Sequence, residues 1–265
     1  MSDRALSILV HGHSKVGKTT FAATAPYPRL LLDVESASRF LQVNKVYWDP
    51  NQGPPPVADG TWDTCIVLVR DYDTVLKVYQ WLQVGQHQFK SLILDSISEL
   101  QVRLKERIAG RGQLQTQQWG EVLTALAGLM RDFRDLTMHP TNPLEAVVLT
   151  AMTQNRDGMY KPYLQGQLAT VIPYFFDVTG YLYVDQIASE DPTAAPTEVR
   201  RLLTRKHPMF EAGERVQGLI APVVDNPTVA GMLNEIFGEV QPPVAAPQEN
   251  TDGNGETNVS PDPQA

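Results

Sequence analysis

The stretch Leu6-Ser7-Ile8-Leu9-Val10-His11-Gly12-His13-Ser14-Lys15-Val16-Gly17-Lys18-Thr19-Thr20 decides the fold. Leu6 to Val10 form a short, mostly apolar run with strand character. The eight residues from Gly12 to Thr19 then fit GxxxxGK[ST], the loop that joins a buried strand to a helix and cradles phosphates. The physics is specific. Glycines let the backbone wrap close to an anion, so that successive N–H groups and a helix start face negative charge. Lys18 supplies a point charge to β- and γ-phosphates, and the Thr19 hydroxyl is placed to ligate Mg²⁺. The expected nucleotide-binding residues are therefore Gly12, His13, Ser14, Lys15, Val16, Gly17, Lys18, Thr19 and Thr20, with ATP and Mg²⁺ as ligands. His11 and His13 have an HxH spacing, but inside such a loop they read as incidental to any metal site.

A loop of this kind needs an acid at the end of a neighbouring buried strand to hold the metal. Ser91-Leu92-Ile93-Leu94-Asp95-Ser96 offers Asp95. Hydrolysis also needs a group that orients or deprotonates water. Glu35 follows the apolar run Arg29-Leu30-Leu31-Leu32-Asp33-Val34, on a strand expected to neighbour the loop. Gln154, just past Ala146 to Met152, is placed to sense a γ-phosphate.

Further from the loop, short apolar runs recur between turn residues at 6–10, 29–34, 65–69, 91–95, 146–152, 180–184 and 199–204. The first five are near-continuous, as in strands buried on both faces of a parallel sheet. Helical spacing puts Val75, Tyr79 and Leu82 on one face of 73–84. It likewise aligns Trp119, Val122, Leu126, Leu129, Phe133 and Leu136 along 118–137, ahead of Pro140 and Pro143. Strands alternating with helices predict an α/β fold: a doubly wound, mostly parallel sheet with helices on both faces, an antiparallel edge, and ligand at the strand C-termini. Residues 49–63 are too proline-rich for regular structure. The chain is expected to divide into a domain over 1–240 and a disordered acidic tail over 241–265, whose Pro, Gly, Asn and Glu offer little to bury. No internal repeat is evident.

The formal charge of −8 over 265 residues weighs against phosphate-backbone binding, but four of the acids (Glu249, Asp252, Glu256, Asp262) lie in that tail, which has no base. The remainder carries 26 acids against 22 bases and is only mildly acidic. No apolar run is long enough to span a bilayer, and residues 1–10 do not read as a signal peptide, so no membrane association is expected. Cys65, the single cysteine, sits in an apolar run and reads as a core residue of a protein in a reducing cytoplasm.

Bases stack on aromatic rings while cations track a backbone. Arg156, Tyr160, Lys161 and Tyr163 combine both in a loop-like context and are the candidate contacts to single-stranded DNA. Tyr174, Phe175 and Phe176 read either as part of the same surface or as core at the entry to the next strand. Arg103, Lys105, Arg107 and Arg111 form a second basic run, read as a solvated helix face or a further contact.

The loop at 12–19, Asp33-Val34-Glu35 after the second strand, Leu92-Ile93-Leu94-Asp95-Ser96, and a strand followed by Gln154 occur in the order seen in RecA-like recombinases. Over roughly residues 5–220, including 161–184 and 202–219, the chain more closely resembles the short phage RecA-like P-loop ATPases of the Sak type, single-domain proteins that anneal single strands. The resemblance implies a DNA-stimulated AAA ATPase acting in phage DNA recombination or strand annealing as a homo-oligomeric ring or filament, in the host cytoplasm. It makes Glu35 the catalytic glutamate, Asp95 the metal-associated acid and Gln154 the sensor. Where the family commonly has Lys-Asp-Arg, this chain has Gly213-Glu214-Arg215. Arg215 is then the residue reaching a neighbouring subunit's nucleotide, and Lys206 a possible substitute for the missing lysine. The acidic tail resembles those that dock recombination or single-strand binding proteins. Two other functions fit the phosphate loop: a small-molecule P-loop kinase, and a nucleotide-switched adaptor without DNA binding.

Overall fold

The computed structural model describes residues 4–187 and 196–239, so the expected tail at 241–265 lies outside the described residues. Its first half runs β1 (Leu6–Gly12), α1 (Lys18–Ala22), β2 (Arg29–Asp33), β3 (Lys45–Tyr47), β4 (Thr64–Leu68), α2 (Tyr72–Val84), β5 (Ser91–Asp95), α3 (Ile97–Ala109) and α4 (Thr116–Asp135). The second half runs β6 (Ala146–Arg156), β7 (Met159–Pro162), α5 (Leu168–Val171), β8 (Val178–Ile187), β9 (Thr197–Leu203), β10 (Gly213–Glu214), β11 (Val223–Asp225) and α6 (Val229–Phe237).

One sheet has the order β11-β9-β8-β1-β6-β5-β2-β4-β3. From β8 to β3 every pairing is parallel, while β9 and β11 extend the β8 side antiparallel. This is the expected doubly wound sheet with an antiparallel edge, but one expectation is corrected. The strands bearing the two acids do not neighbour β1: β6 lies between β1 and β5, and β2 is one strand further out. The phosphate loop and the acids meet because all these strands are parallel and end at one level, so adjacency is not needed.

Side-chain alternation divides the core. Leu9, Leu30, Leu32, Leu92, Leu94, Val147 and Leu149 face the long helices α2, α3 and α4. Ile8, Val10, Leu31, Ile66, Ile93 and Val148 face α1 and α6. Cys65 is fully buried in the first of these cores, where desolvation pushes its thiol up to about 12. The capping is local. Asp71 accepts from the Thr74 N–H at the start of α2, a bond of the kind contributing about 1 kcal/mol, and Gly85 closes that helix in the left-handed region.

The expected helical stripe on α4 holds for Val122, Leu126, Leu129 and Phe133, and Leu136 is buried in the short turn that follows. Trp119 departs from it, being 38% exposed with the Lys105 ammonium 5.5 Å from its ring centroid. Residues 49–63 have no regular structure, yet Trp48 and Trp62 at their borders are buried against Phe89. Among the described residues, no helix is long and apolar enough to cross a membrane.

Candidate active site

The C-terminal ends of β1, β2, β5 and β6 open into a cleft of about 590 Å³. Gly12 ends β1 where a side chain could not fit, since a Cβ would stand 2.4 Å from the Leu182 carbonyl oxygen of β8. The loop then turns through two left-handed residues, Lys15 (φ 64) and Gly17 (φ 94), which is how successive N–H groups come to face one point. Helix α1 behind it has only five residues. Its dipole is correspondingly small, so anion stabilisation falls to the loop N–H groups and Lys18 rather than to a helix dipole. Helix α6 braces α1, with the Val229 N–H donating to the Thr24 hydroxyl at 2.7 Å.

Lys18 curls over the loop, its ammonium donating to the carbonyls of Gly12 (3.0 Å) and His13 (2.8 Å). Desolvation lowers its pKa, and the opposite charges of Glu35 and Asp95 oppose the shift. Asp95 is 3% exposed. Alternation along β5 points it to the α1 side, as does Ile93, and Thr150 of β6 points the same way as Val148. The Thr19 hydroxyl donates to Asp95 at 2.6 Å and the Thr150 hydroxyl donates to its other oxygen. Burial raises the Asp95 pKa, the two hydroxyl bonds pull it down, and Glu35 and Asp33 add to the rise.

Glu35 also lines the cleft, accepting a hydrogen bond from the hydroxyl of Ser96, the N-cap of α3. Asp33 does different work, accepting from the Ser38 N–H at 3.0 Å and so folding the chain after β2 back on itself. The structure thus brings together Lys18, Thr19, Glu35 and Asp95, with Thr20, His13, Ser14, Lys15 and Gly17 along the same wall.

Gln154 is placed elsewhere. Met152 and Thr153 line the cleft, while the Gln154 amide donates to the Leu164 carbonyl at 3.4 Å. Thr153 was not singled out in the sequence, and only its position one residue before Gln154 could have suggested it. It lies beside His11, a residue read as incidental to metal, which is fully buried. The Glu211 carbonyl, 2.7 Å from Nε2, requires the proton there and leaves Nδ1 bare, 3.1 Å from the Thr153 hydroxyl. Desolvation lowers its pKa to about 4. Among the described residues no cluster of three or more His, Cys, Asp or Glu is suited to a metal.

Arg215 lies at the opposite end of the sheet from this cleft. Its N–H donates to the Asp177 carbonyl beside the start of β8, and its guanidinium donates to the Tyr174 carbonyl. Lys206 is exposed, and the adjacent Arg205 faces Glu214 at 3.4 Å.

The segment read as a loop at 153–163 is a hairpin in which β6 pairs with β7, turning at Asp157 (φ 54) and Gly158 (φ 82). Arg156 and Lys161 line a groove of about 440 Å³ between it and α5. Tyr163 is 41% exposed, whereas Tyr160 stacks on Phe210 (centroids 5.4 Å) and meets His13 edge-on (5.5 Å). Of the three aromatics left open, Phe176 is buried, Phe175 packs under Arg131, and Tyr174 is exposed. Arg103, Lys105 and Arg107 fall on α3, where Arg103 pairs with Glu99 and Glu106 and Arg107 pairs with Asp73.

A protein-family model described as an AAA domain matches residues 4–216. No curated protein matches the chain.

Proposed function

On the premise that the chain belongs to the AAA-domain family, a nucleotide-binding ATPase fold, we propose that it hydrolyses ATP with Mg²⁺ and couples this to binding single-stranded DNA. The observation that carries the hydrolytic reading is the Thr19 hydroxyl 2.6 Å from Asp95, with Lys18 and Glu35 on the same cleft. A hydroxyl and one carboxylate, both hard oxygen donors, fit Mg²⁺, which takes few protein ligands and keeps phosphate and water oxygens for the rest. When bound, the ion neutralises charge developing on the phosphates. Thr19 and Asp95 are the residues that would hold it.

Lys18 exchanges its two loop carbonyls for phosphate oxygens. Glu35, oriented by Ser96, accepts the proton of the attacking water. The sensing role expected of Gln154 passes to Thr153, whose hydroxyl lies between the cleft and the bare Nδ1 of His11.

Recombination or strand annealing, phage origin and a ring or filament of subunits belong to the same proposal. The DNA part is supported by the hairpin groove with Arg156 and Lys161, by exposed Tyr163, and by the contact of Tyr160 with His13 of the phosphate loop. In an oligomer, Arg215 is the cation we assign to a neighbour's nucleotide, and the tail is a docking segment for a recombination or single-strand binding protein.

ATP turnover measured with and without a single-stranded oligonucleotide tests the reading. We expect turnover that depends on Mg²⁺ and rises with DNA. Turnover indifferent to DNA would favour a kinase or plain nucleotidase, and barely measurable turnover in both conditions an adaptor.

A further inference from the structure

Arg200 and Arg201 are consecutive on β9 and have different surroundings. Arg201 faces away from α1 and is neutralised twice, by Asp185 and by Asp225 (2.8 Å). Arg200 points the other way. Leu202, two residues on, enters the core beneath α1, so alternation turns Arg200 to that side of the sheet, beyond the core and over the phosphate loop. Its Nε donates to the Val16 carbonyl at 2.9 Å. The flat guanidinium lies against Gly17, where a Cβ would meet Nε, Cζ and Nη2 at 2.6, 2.7 and 2.7 Å. Gly17 is therefore required twice, for its left-handed backbone and for the room it leaves this side chain. The strand is pinned there, since the Asn226 N–H donates to the Arg200 carbonyl at 2.7 Å.

Among the described residues Arg200 forms no ion pair. A half-buried guanidinium with no carboxylate partner among the described residues, fixed against a loop built to receive a polyanion, has its natural counter-charge in that polyanion. We propose that Arg200 is a second cationic contact for the nucleotide, using one edge of its fork to hold the loop at Val16 and the other to meet a phosphate beside Gly17. Lys18 and Arg200 then clamp the phosphates from two elements, the loop itself and the antiparallel edge of the sheet. Strands β8 and β9 become part of the nucleotide site, and bound phosphate adds to the tie between sheet edge and loop that the Val16 bond already makes. The proposal rests on nucleotide binding at Gly12–Thr19.

The test is calorimetric titration of ATP and of ADP, at low and high salt, into the full chain and its Lys18→Ala, Arg200→Gln and Arg200→Lys variants, with a melting temperature for each without nucleotide. A charge-assisted contact to phosphate predicts that Arg200→Gln weakens ATP and ADP alike by roughly tenfold or more. It also predicts a flatter salt dependence, whereas the lost Val16 bond lowers the melting temperature without nucleotide only slightly. Arg200→Lys should recover part of the affinity and the salt dependence, because the charge remains while the fork is lost. Wild-type affinity in Arg200→Gln, with binding lost in Lys18→Ala, would overturn the proposal and leave the phosphate loop standing. Equal losses in both Arg200 variants with unchanged salt dependence would overturn it too, reducing Arg200 to a brace. Absence of nucleotide binding by the wild type would remove the underlying reading instead.

Discussion

Asp95 is useful as a metal acid only when ionised, and its burial works against ionisation. The hydroxyls of Thr19 and Thr150 offset that cost by donating to the charged form, yet the balance leaves the pKa raised. Protonation therefore begins at a higher pH than for an ordinary carboxylate. We expect Mg²⁺-dependent ATP binding to fall on the acid side above the usual carboxylate range, and Asp95→Asn to abolish that limb together with most of the Mg²⁺ dependence. Titrating ATP with and without Mg²⁺ across pH checks this, and an unaltered profile in the variant would release Asp95 from the metal. Glu35 differs in being exposed and held by Ser96. Glu35→Gln keeps the size and loses the base. Its ATP affinity should stay near wild type while single-turnover hydrolysis slows by about 100-fold or more. Hydrolysis at the wild-type rate would return Glu35 to a surface acid.

At the scale of elements, the β6–β7 hairpin joins the cleft to the groove. One strand carries Thr153 into the nucleotide site and, three residues on, Arg156 to the groove, where Lys161 of the return strand joins it. The turn depends on Asp157 and Gly158 both adopting positive φ, which matches the twist of a two-residue hairpin and suits Asp-Gly. If the groove tracks a single strand, Arg156→Ala with Lys161→Ala removes two phosphate contacts. The slope of log affinity against log salt should then flatten by about 1.4. Fluorescence anisotropy of a labelled oligonucleotide over a salt series reads this directly. A wild-type slope in the double variant would move the DNA surface off the hairpin.

On the scale of the whole molecule, His11 ties three distant parts of the chain together: β1, β6 through Thr153, and the segment before β10 through the Glu211 carbonyl. Burial keeps it neutral in the fold down to about 4, whereas the unfolded chain takes up the proton near 6.5. Between those values the unfolded state binds more protons, so stability rises with pH. The contribution is fully present above the unfolded value and is lost as pH falls towards the folded one, by an amount on the order of 3 kcal/mol across the window. Urea unfolding at pH 7 and pH 5 should show a loss of about 2 kcal/mol in the wild type that is largely absent in His11→Gln. An equal loss in both would assign the acid sensitivity to other groups. The sequence by itself determined the phosphate loop, seven of the strands and the class of fold, because apolar periodicity, a glycine spacing and a Lys-Thr pair are local properties. It also pointed to Asp95 and Glu35, since an acid at the end of an apolar run needs no knowledge of strand order. Only the tertiary structure decided that β6 separates β1 from β5, that Thr153 rather than Gln154 faces the cleft, and that Arg200 lies on Gly17 while Arg201 faces two acids. Those outcomes depend on which strands pair and in what register, and a shift of one residue in a strand exchanges every side chain between the faces of the sheet.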